Sequence, residues 1–145
     1  MSKKVLFVDD EPNVLQSIKR NLRKDFDVDT ANGGEEALQK LASNDEYAIV
    51  VSDMRMPGMN GVELLSKAKQ QWPDTVRMML TGNADQQTAV DAVNKGDVFR
   101  FLNKPCDASA LASAVTVGLR QHELITAEKE LLEKTLRGSI KALAD

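Results

Sequence analysis

Five residues carry the chemistry this chain could do: Asp9, Asp10, Asp53, Thr81 and Lys104. Each closes a short apolar run, and a turn or helix start follows. An aspartate in that position is a competent nucleophile and forms an aspartyl-phosphate. Three carboxylates crowded on one edge repel, which raises at least one pKa. A hard divalent cation removes the repulsion, and an oxygen-only donor set favours magnesium or manganese. An ammonium and a hydroxyl nearby complete the equipment for a phosphoryl group. Phosphoryl transfer needs positioning and charge neutralisation more than acid–base groups. Singly, each residue has a plainer reading. Asp9-Asp10 could cap a helix, Thr81 could end a turn, and Lys104 could be a solvated charge. Their occurrence together at four strand ends favours chemistry, with Asp53 as the nucleophile.

The elements that must position them follow from periodicity. Apolar runs predict strands over Lys4–Val8, Phe26–Thr30, Tyr47–Asp53, Thr75–Thr81 and Val98–Leu102. Helical spacing predicts helices from Pro12 (suited to a first turn), after Asn32-Gly33-Gly34, after the Pro57/Gly58/Gly61 loop, over Ala84–Lys95 and from Asp107 onward. Asn44-Asp45 should break the second helix, and Gly96 should stop the fourth. Strands alternating with helices imply a doubly wound α/β fold with a central parallel sheet. In such a sheet the C-terminal strand ends share one edge, where open α/β folds place their chemistry. Alternation does not reveal strand order; the flavodoxin-like order is the natural expectation for five units.

The last helix is too long for one domain, roughly 57 Å from Asp107 to Ala144. Leu111, Ala114, Val115 and Leu119 can pack on the sheet. Ile125, Leu132, Leu136 and Leu143 form a seam near heptad spacing, interrupted by His122, Lys129 and Ser139. The division expected is residues 1–120 as the site-bearing domain and 121–145 as a helical extension. The extension reads either as a solvated amphipathic helix or as a coiled-coil linker that makes a homodimer and leads to an output domain.

Composition narrows the classes. At 145 residues the chain fits one domain, which buries about 68–70% of its extended-chain surface. A net charge of −3 gives no footprint for nucleic acid or an anionic membrane. No leader or membrane span is legible, and the single Cys106 fits a reducing cytoplasm. His122 is the one histidine, far along from Asp53, so a phosphoryl donor should come from outside the chain.

The set Asp9-Asp10, Asp53-Met54-Arg55-Met56-Pro57-Gly58-Met59-Asn60-Gly61, Thr81-Gly82 and Lys104-Pro105 resembles the receiver domain of bacterial two-component response regulators. The likeness covers about Lys4 to Leu119. It implies a flavodoxin-like sheet of order 2-1-3-4-5 with five helices. It implies that Asp53 accepts a phosphoryl group from a histidine kinase or phosphotransfer protein. Asp10, Asp53 and the backbone carbonyl of Arg55 would ligate magnesium, with Asp9 acting through water. Thr81 and Lys104 would each bind a phosphoryl oxygen, Lys104-Pro105 would be cis, and Phe101 matches the switch aromatic. Phosphorylation would draw Thr81 and Lys104 inward, admit the Phe101 ring, and alter the face of the fourth helix, fifth strand and fifth helix. Arg55 and Asn83, two residues beyond Asp53 and Thr81, would flank the phosphoryl group's solvent side and tune its lifetime; Arg55 could equally be an ordinary surface charge. Residues Leu131–Ile140 are more weakly similar to segments joining receivers to HD-type phosphohydrolase domains.

Other functions fit less well. An aspartyl phosphatase of the haloacid-dehalogenase type needs a second acid at position 55, which is arginine. A flavin carrier needs a hydroxyl-rich phosphate loop where Asp9-Asp10-Glu11 stands. A degenerate docking module need not keep the complete acid, threonine and lysine set.

Overall fold

The computed structural model describes residues 3–43 and 46–144, the side chains of 139–144 apart. Five strands, β1 (Lys4–Val8), β2 (Asp27–Ala31), β3 (Tyr47–Asp53), β4 (Val76–Thr81) and β5 (Arg100–Asn103), form one parallel sheet of order β2-β1-β3-β4-β5. Helices α1 (Pro12–Leu22), α2 (Gly34–Leu41), α3 (Gly61–Gln71), α4 (Gln86–Asn94) and α5 (Ala108–Ala144) cover both faces. This is the flavodoxin-like arrangement expected from the resemblance.

The strand side chains alternate between two cores, as a pleated strand buried on both faces must. Leu6, Val8, Val50 and Met79 point to one side and pack with Ala37 and Leu41 of α2, Leu64, Leu65 and Ala68 of α3, and Ala89 and Ala92 of α4. Val5, Phe7, Ile49, Val51, Met78 and Leu80 point to the other and meet Leu15, Ile18 and Leu22 of α1 and Leu111, Ala114 and Val115 of α5. Every residue of β3 is buried, so the central strand is fixed from both sides up to Asp53.

Most helix ends lie where their residue types dictate. Pro12 opens α1. Asn60 caps α3 by accepting the Glu63 N–H at 2.9 Å. After α4 the chain turns at Gly96, whose φ of +78° suits glycine. Two expectations need correction. The helix expected over Ala84–Lys95 begins as a 3-10 turn, Asn83–Asp85, and becomes α-helical only at Gln86. The fifth strand, expected at Val98, starts at Arg100. The amides of Asp97 and Val98 both turn back to the Ala92 carbonyl, and the Val98 side chain is buried against the α2–α4 layer instead.

Helix α5 runs 37 residues without a break, about 56 Å. It stays against the body past residue 120. The buried His122 ring nitrogen Nδ1 lies 2.8 Å from the Asp74 carbonyl, and Lys129 Nζ lies 2.8 Å from Asp74 Oδ2. Two of the three residues that interrupt the apolar seam therefore face the α3–β4 turn. Leu132 and Leu136 are exposed. The break expected at Asn44-Asp45, and the seam side chains Ser139 and Leu143, lie outside the described residues.

Candidate functional site at the sheet's C-terminal edge

The parallel sheet delivers four strand ends to one edge. From β1 the chain leaves through Asp9 and Asp10, from β3 through Asp53, from β4 through Thr81, and just beyond β5 comes Lys104. Backbone bonds lock these ends in register: Asp9 N–H to the Ala31 carbonyl (3.2 Å), Met54 N–H to Leu80 (3.0 Å) and Lys104 N–H to Thr81 (2.8 Å).

The loop after Asp53 is held tightly against the strand. Gly61 N–H donates to the Met54 carbonyl at 2.9 Å. A Cβ on Gly61 would come within 2.3 Å of the Asp53 carbonyl oxygen and 3.0 Å of Met54 Cα. Only glycine lets α3 start this close to the acidic strand end. The motif Met59-Asn60-Gly61 thus supplies a cap and a close approach in consecutive residues.

The carboxylates of Asp9, Asp10 and Asp53 offer oxygens that all lie within 4.8 Å of one another. Asp9 is 3% exposed. Its Oδ1 accepts the Glu11 N–H at 2.9 Å, while its Oδ2 has no partner. A buried carboxylate oxygen left bare is costly unless something binds it. Burial pushes the Asp9 carboxyl above its ordinary range; the Glu11 amide pulls it down, and the nearby Asp53 charge adds to the rise. Asp10 is exposed at the rim. An acid-rich, oxygen-only cluster with a bare buried oxygen fits a hard divalent cation.

Lys104 places Nζ 2.7 Å from Asp53 Oδ1. The peptide bond between Lys104 and Pro105 is cis. Thr81 is fully buried, and its hydroxyl has only weak partners. It donates to its neighbour's carbonyl at Gly82 (3.2 Å) and lies 3.6 Å from the Met54 sulfur. Phe101 is half-buried against the α2–α4 core layer. Chemically, this edge presents a carboxylate of the kind that can act as a nucleophile, an ammonium already on it, and a hydroxyl with only weak partners.

Arg55 and Asn83 sit at the mouth. Asn83 is exposed in the 3-10 turn. The Arg55 guanidinium forms a two-pronged bond to Asp85, Nε to Oδ2 at 2.6 Å and Nη2 to Oδ1 at 2.7 Å. Sequence reading missed Asp85. It lies 30 positions from Arg55, and no local pattern links them.

Comparison with known proteins identifies the family. The family model for "Response regulator receiver domain" matches residues 5–116. The hydrogenase transcriptional regulatory protein HoxA of Cupriavidus necator is 33% identical over 101 residues, 70% of this chain and 21% of that protein. A crystal structure described as adenylate cyclase from Rhodopirellula baltica superposes with a TM-score of 0.90 at 46% identity, covering 92% of this chain and 99% of that one. The signal receiver domain of an HD domain-containing protein from Pseudomonas fluorescens Pf-5 gives a TM-score of 0.77 at 32% identity, covering 85% and 98%. The chain spans only 21%, 24% and 27% of the length of three curated relatives that it matches.

Proposed function

This chain belongs to the family of response regulator receiver domains, and on that premise we propose that Asp53 is its phosphoacceptor. The carrying observation is the strand-end cluster: a nearly buried Asp53 with Lys104 at 2.7 Å, beside an Asp9 oxygen that has no partner.

The donor is a phosphohistidine of a histidine kinase or phosphotransfer protein, or a small acyl phosphate. An Asp53 carboxylate oxygen attacks phosphorus. The new O–P bond forms as the P–N or P–O bond to the donor breaks, and the donor keeps the electron pair as imidazole or carboxylate. Lys104 neutralises charge on the entering phosphoryl oxygens. Asp10, Asp53 and the Arg55 carbonyl would hold Mg2+ or Mn2+, with Asp9 acting through water. When bound, that ion supplies further charge neutralisation to the phosphoryl oxygens. Thr81 gives up its weak contacts with Gly82 and Met54 to bond a phosphoryl oxygen. The Phe101 ring follows inward, and the α4–β5–α5 face changes. Arg55 and Asn83 tune how fast water reaches the phosphoryl group; an unchanged lifetime in both Arg55→Ala and Asn83→Ala would end that part of the reading.

The protein is thus a signalling component with no turnover of its own beyond gain and loss of the phosphoryl group, and it acts in the cytoplasm. No helix among the described residues is long and apolar enough to cross a membrane. We assign residues 1–120 to the receiver and 121–145 to an extension that dimerises as a coiled coil and leads to an output domain. An HD-type phosphohydrolase output is supported by the likeness to the Pseudomonas fluorescens receiver.

The test is intact-protein mass after incubation with acetyl phosphate and Mg2+. One phosphoryl increment is expected in the wild type and none in Asp53→Asn. An increment of equal size in Asp53→Asn would overturn the assignment.

A further inference from the structure

Asp85 stands at the N-cap position of α4 and does not cap it. Its side chain makes no hydrogen bond to the helix. Its backbone, at φ −112° and ψ 11°, is not in the extended conformation typical of a capping residue. The preceding residues are wound into the 3-10 turn Asn83–Asp85, closed by the Asp85 N–H on the Gly82 carbonyl at 3.1 Å. What occupies the Asp85 carboxylate is the guanidinium of Arg55, through both oxygens. Few changes would suit α4 better than a cap. Its first turn holds no acid, and it is a short helix of nine residues.

We infer that Asp85 is a positioning residue with two alternative partners: it holds Arg55 at the rim in the unphosphorylated protein and caps α4 once Arg55 leaves. This inference rests on the phosphoacceptor reading of Asp53. Arg55 is two residues from Asp53, on the same loop. Among the described residues at this edge, Lys104 pairs with Asp53 and Arg55 pairs with Asp85. A phosphoryl group brings about −1.5 to −2 charge and three acceptor oxygens. That outbids a single carboxylate for a planar guanidinium, which binds both through paired N–H groups. Arg55 then turns from Asp85 to the phosphoryl group. The freed carboxylate accepts the N–H of Gln87 or Thr88, the 3-10 turn opens, and the start of α4 moves. The pair thereby converts charge at Asp53 into a change at the α4 end of the proposed output face. The Thr81 and Phe101 movement plays no part in this step.

Amide exchange at Gln87 and Thr88 reads the cap directly. In the unphosphorylated protein, Arg55→Ala should slow exchange at one of these amides roughly fivefold, because Asp85 is already free. The wild type should show the same slowing only after acetyl phosphate and Mg2+. Asp85→Ala should show it in neither state while still gaining the phosphoryl mass. Exchange that Arg55→Ala leaves unchanged would overturn the inference, as would slowing that survives in Asp85→Ala. Intact mass on the same samples separates this from failure of the acceptor itself. If no variant gains a phosphoryl group, the Asp53 reading falls, while the Arg55→Ala comparison still decides whether Asp85 is a released cap.

Discussion

Polar side chains are buried at both ends of this sheet, and the two ends treat them differently. Toward the N-terminal edge, Thr75 Oγ1 donates to the Tyr47 carbonyl at 2.8 Å, the Tyr47 hydroxyl donates to Asp29 Oδ2 at 2.6 Å, and His122 meets the Asp74 carbonyl at 2.8 Å. Each of these groups has a partner supplied by the fold. At the C-terminal edge, Asp9 Oδ2 has none, and the Thr81 hydroxyl makes do with its neighbour's carbonyl and a sulfur. Partnered polar groups hold the helices and strands in place. An unpartnered oxygen such as Asp9 Oδ2 is a cost that folding alone does not justify, which is why the proposed ligand site is placed at that edge.

The two ends can be set against each other by mutation. The largest effect belongs to Lys104→Ala, which removes the ammonium from Asp53. Phosphorylation by acetyl phosphate should slow by a factor on the order of 10² to 10³, with little change in the thermal midpoint. A rate within twofold of wild type would mean that Lys104 does not act on the reacting group.

A matched pair of threonines comes next. Thr75→Val leaves the buried Tyr47 carbonyl without its hydroxyl donor and should cost about 1–3 kcal/mol of stability, with phosphorylation intact. Thr81→Val loses only weak contacts. It should cost less than about 0.5 kcal/mol while uncoupling phosphorylation from the change at α4–β5–α5. Denaturant melts and the α4 amide spectrum read both variants. Equal stability losses would erase the distinction between the two edges.

Two carboxylates give the smallest and most diagnostic contrast. Asp29 is half-buried, which alone would raise its pKa; bonds from the Tyr47 hydroxyl, the Thr30 N–H and Lys40 outweigh that and hold it below the ordinary 3.8. The unfolded chain therefore binds more protons near and below that value. The stability Asp29 contributes is full above 3.8 and is lost as pH falls through its folded pKa. Asp9 has the opposite sign: burial raises it above 3.8, so the folded state binds more protons. In metal-free protein, its contribution declines as pH rises from 3.8 through its folded pKa. Asp29→Asn should flatten the acid limb of the stability profile. Asp9→Asn should flatten the loss above 3.8 and also weaken the stabilisation that Mg2+ gives. Parallel profiles in the two variants would contradict the assignment of opposite environments.

The contrast also explains what could be read from the sequence. Asp9, Asp10, Asp53, Thr81 and Lys104 were legible because each ends an apolar run, and a parallel sheet gathers such ends. Gly61 was legible as loop punctuation, but its need to clear the Asp53 carbonyl was not. Tertiary pairing hid the rest. Asp85 is linked to Arg55 across two loops, and His122 and Lys129 looked like flaws in a seam until both were found on Asp74. Similarly, β5 begins late because the Asp97 and Val98 amides return to Ala92, a contact that periodicity does not encode.

Peptide mapping of the phosphorylated protein tests the central claim most directly, since each edge offers a conceivable acceptor: Asp53 at one, His122 at the other. After acetyl phosphate and Mg2+, the phosphoryl group should be found on the peptide carrying Asp53, and a chelator should abolish it. A phosphoryl group on the peptide carrying His122, or one that forms equally without a divalent cation, would contradict the account.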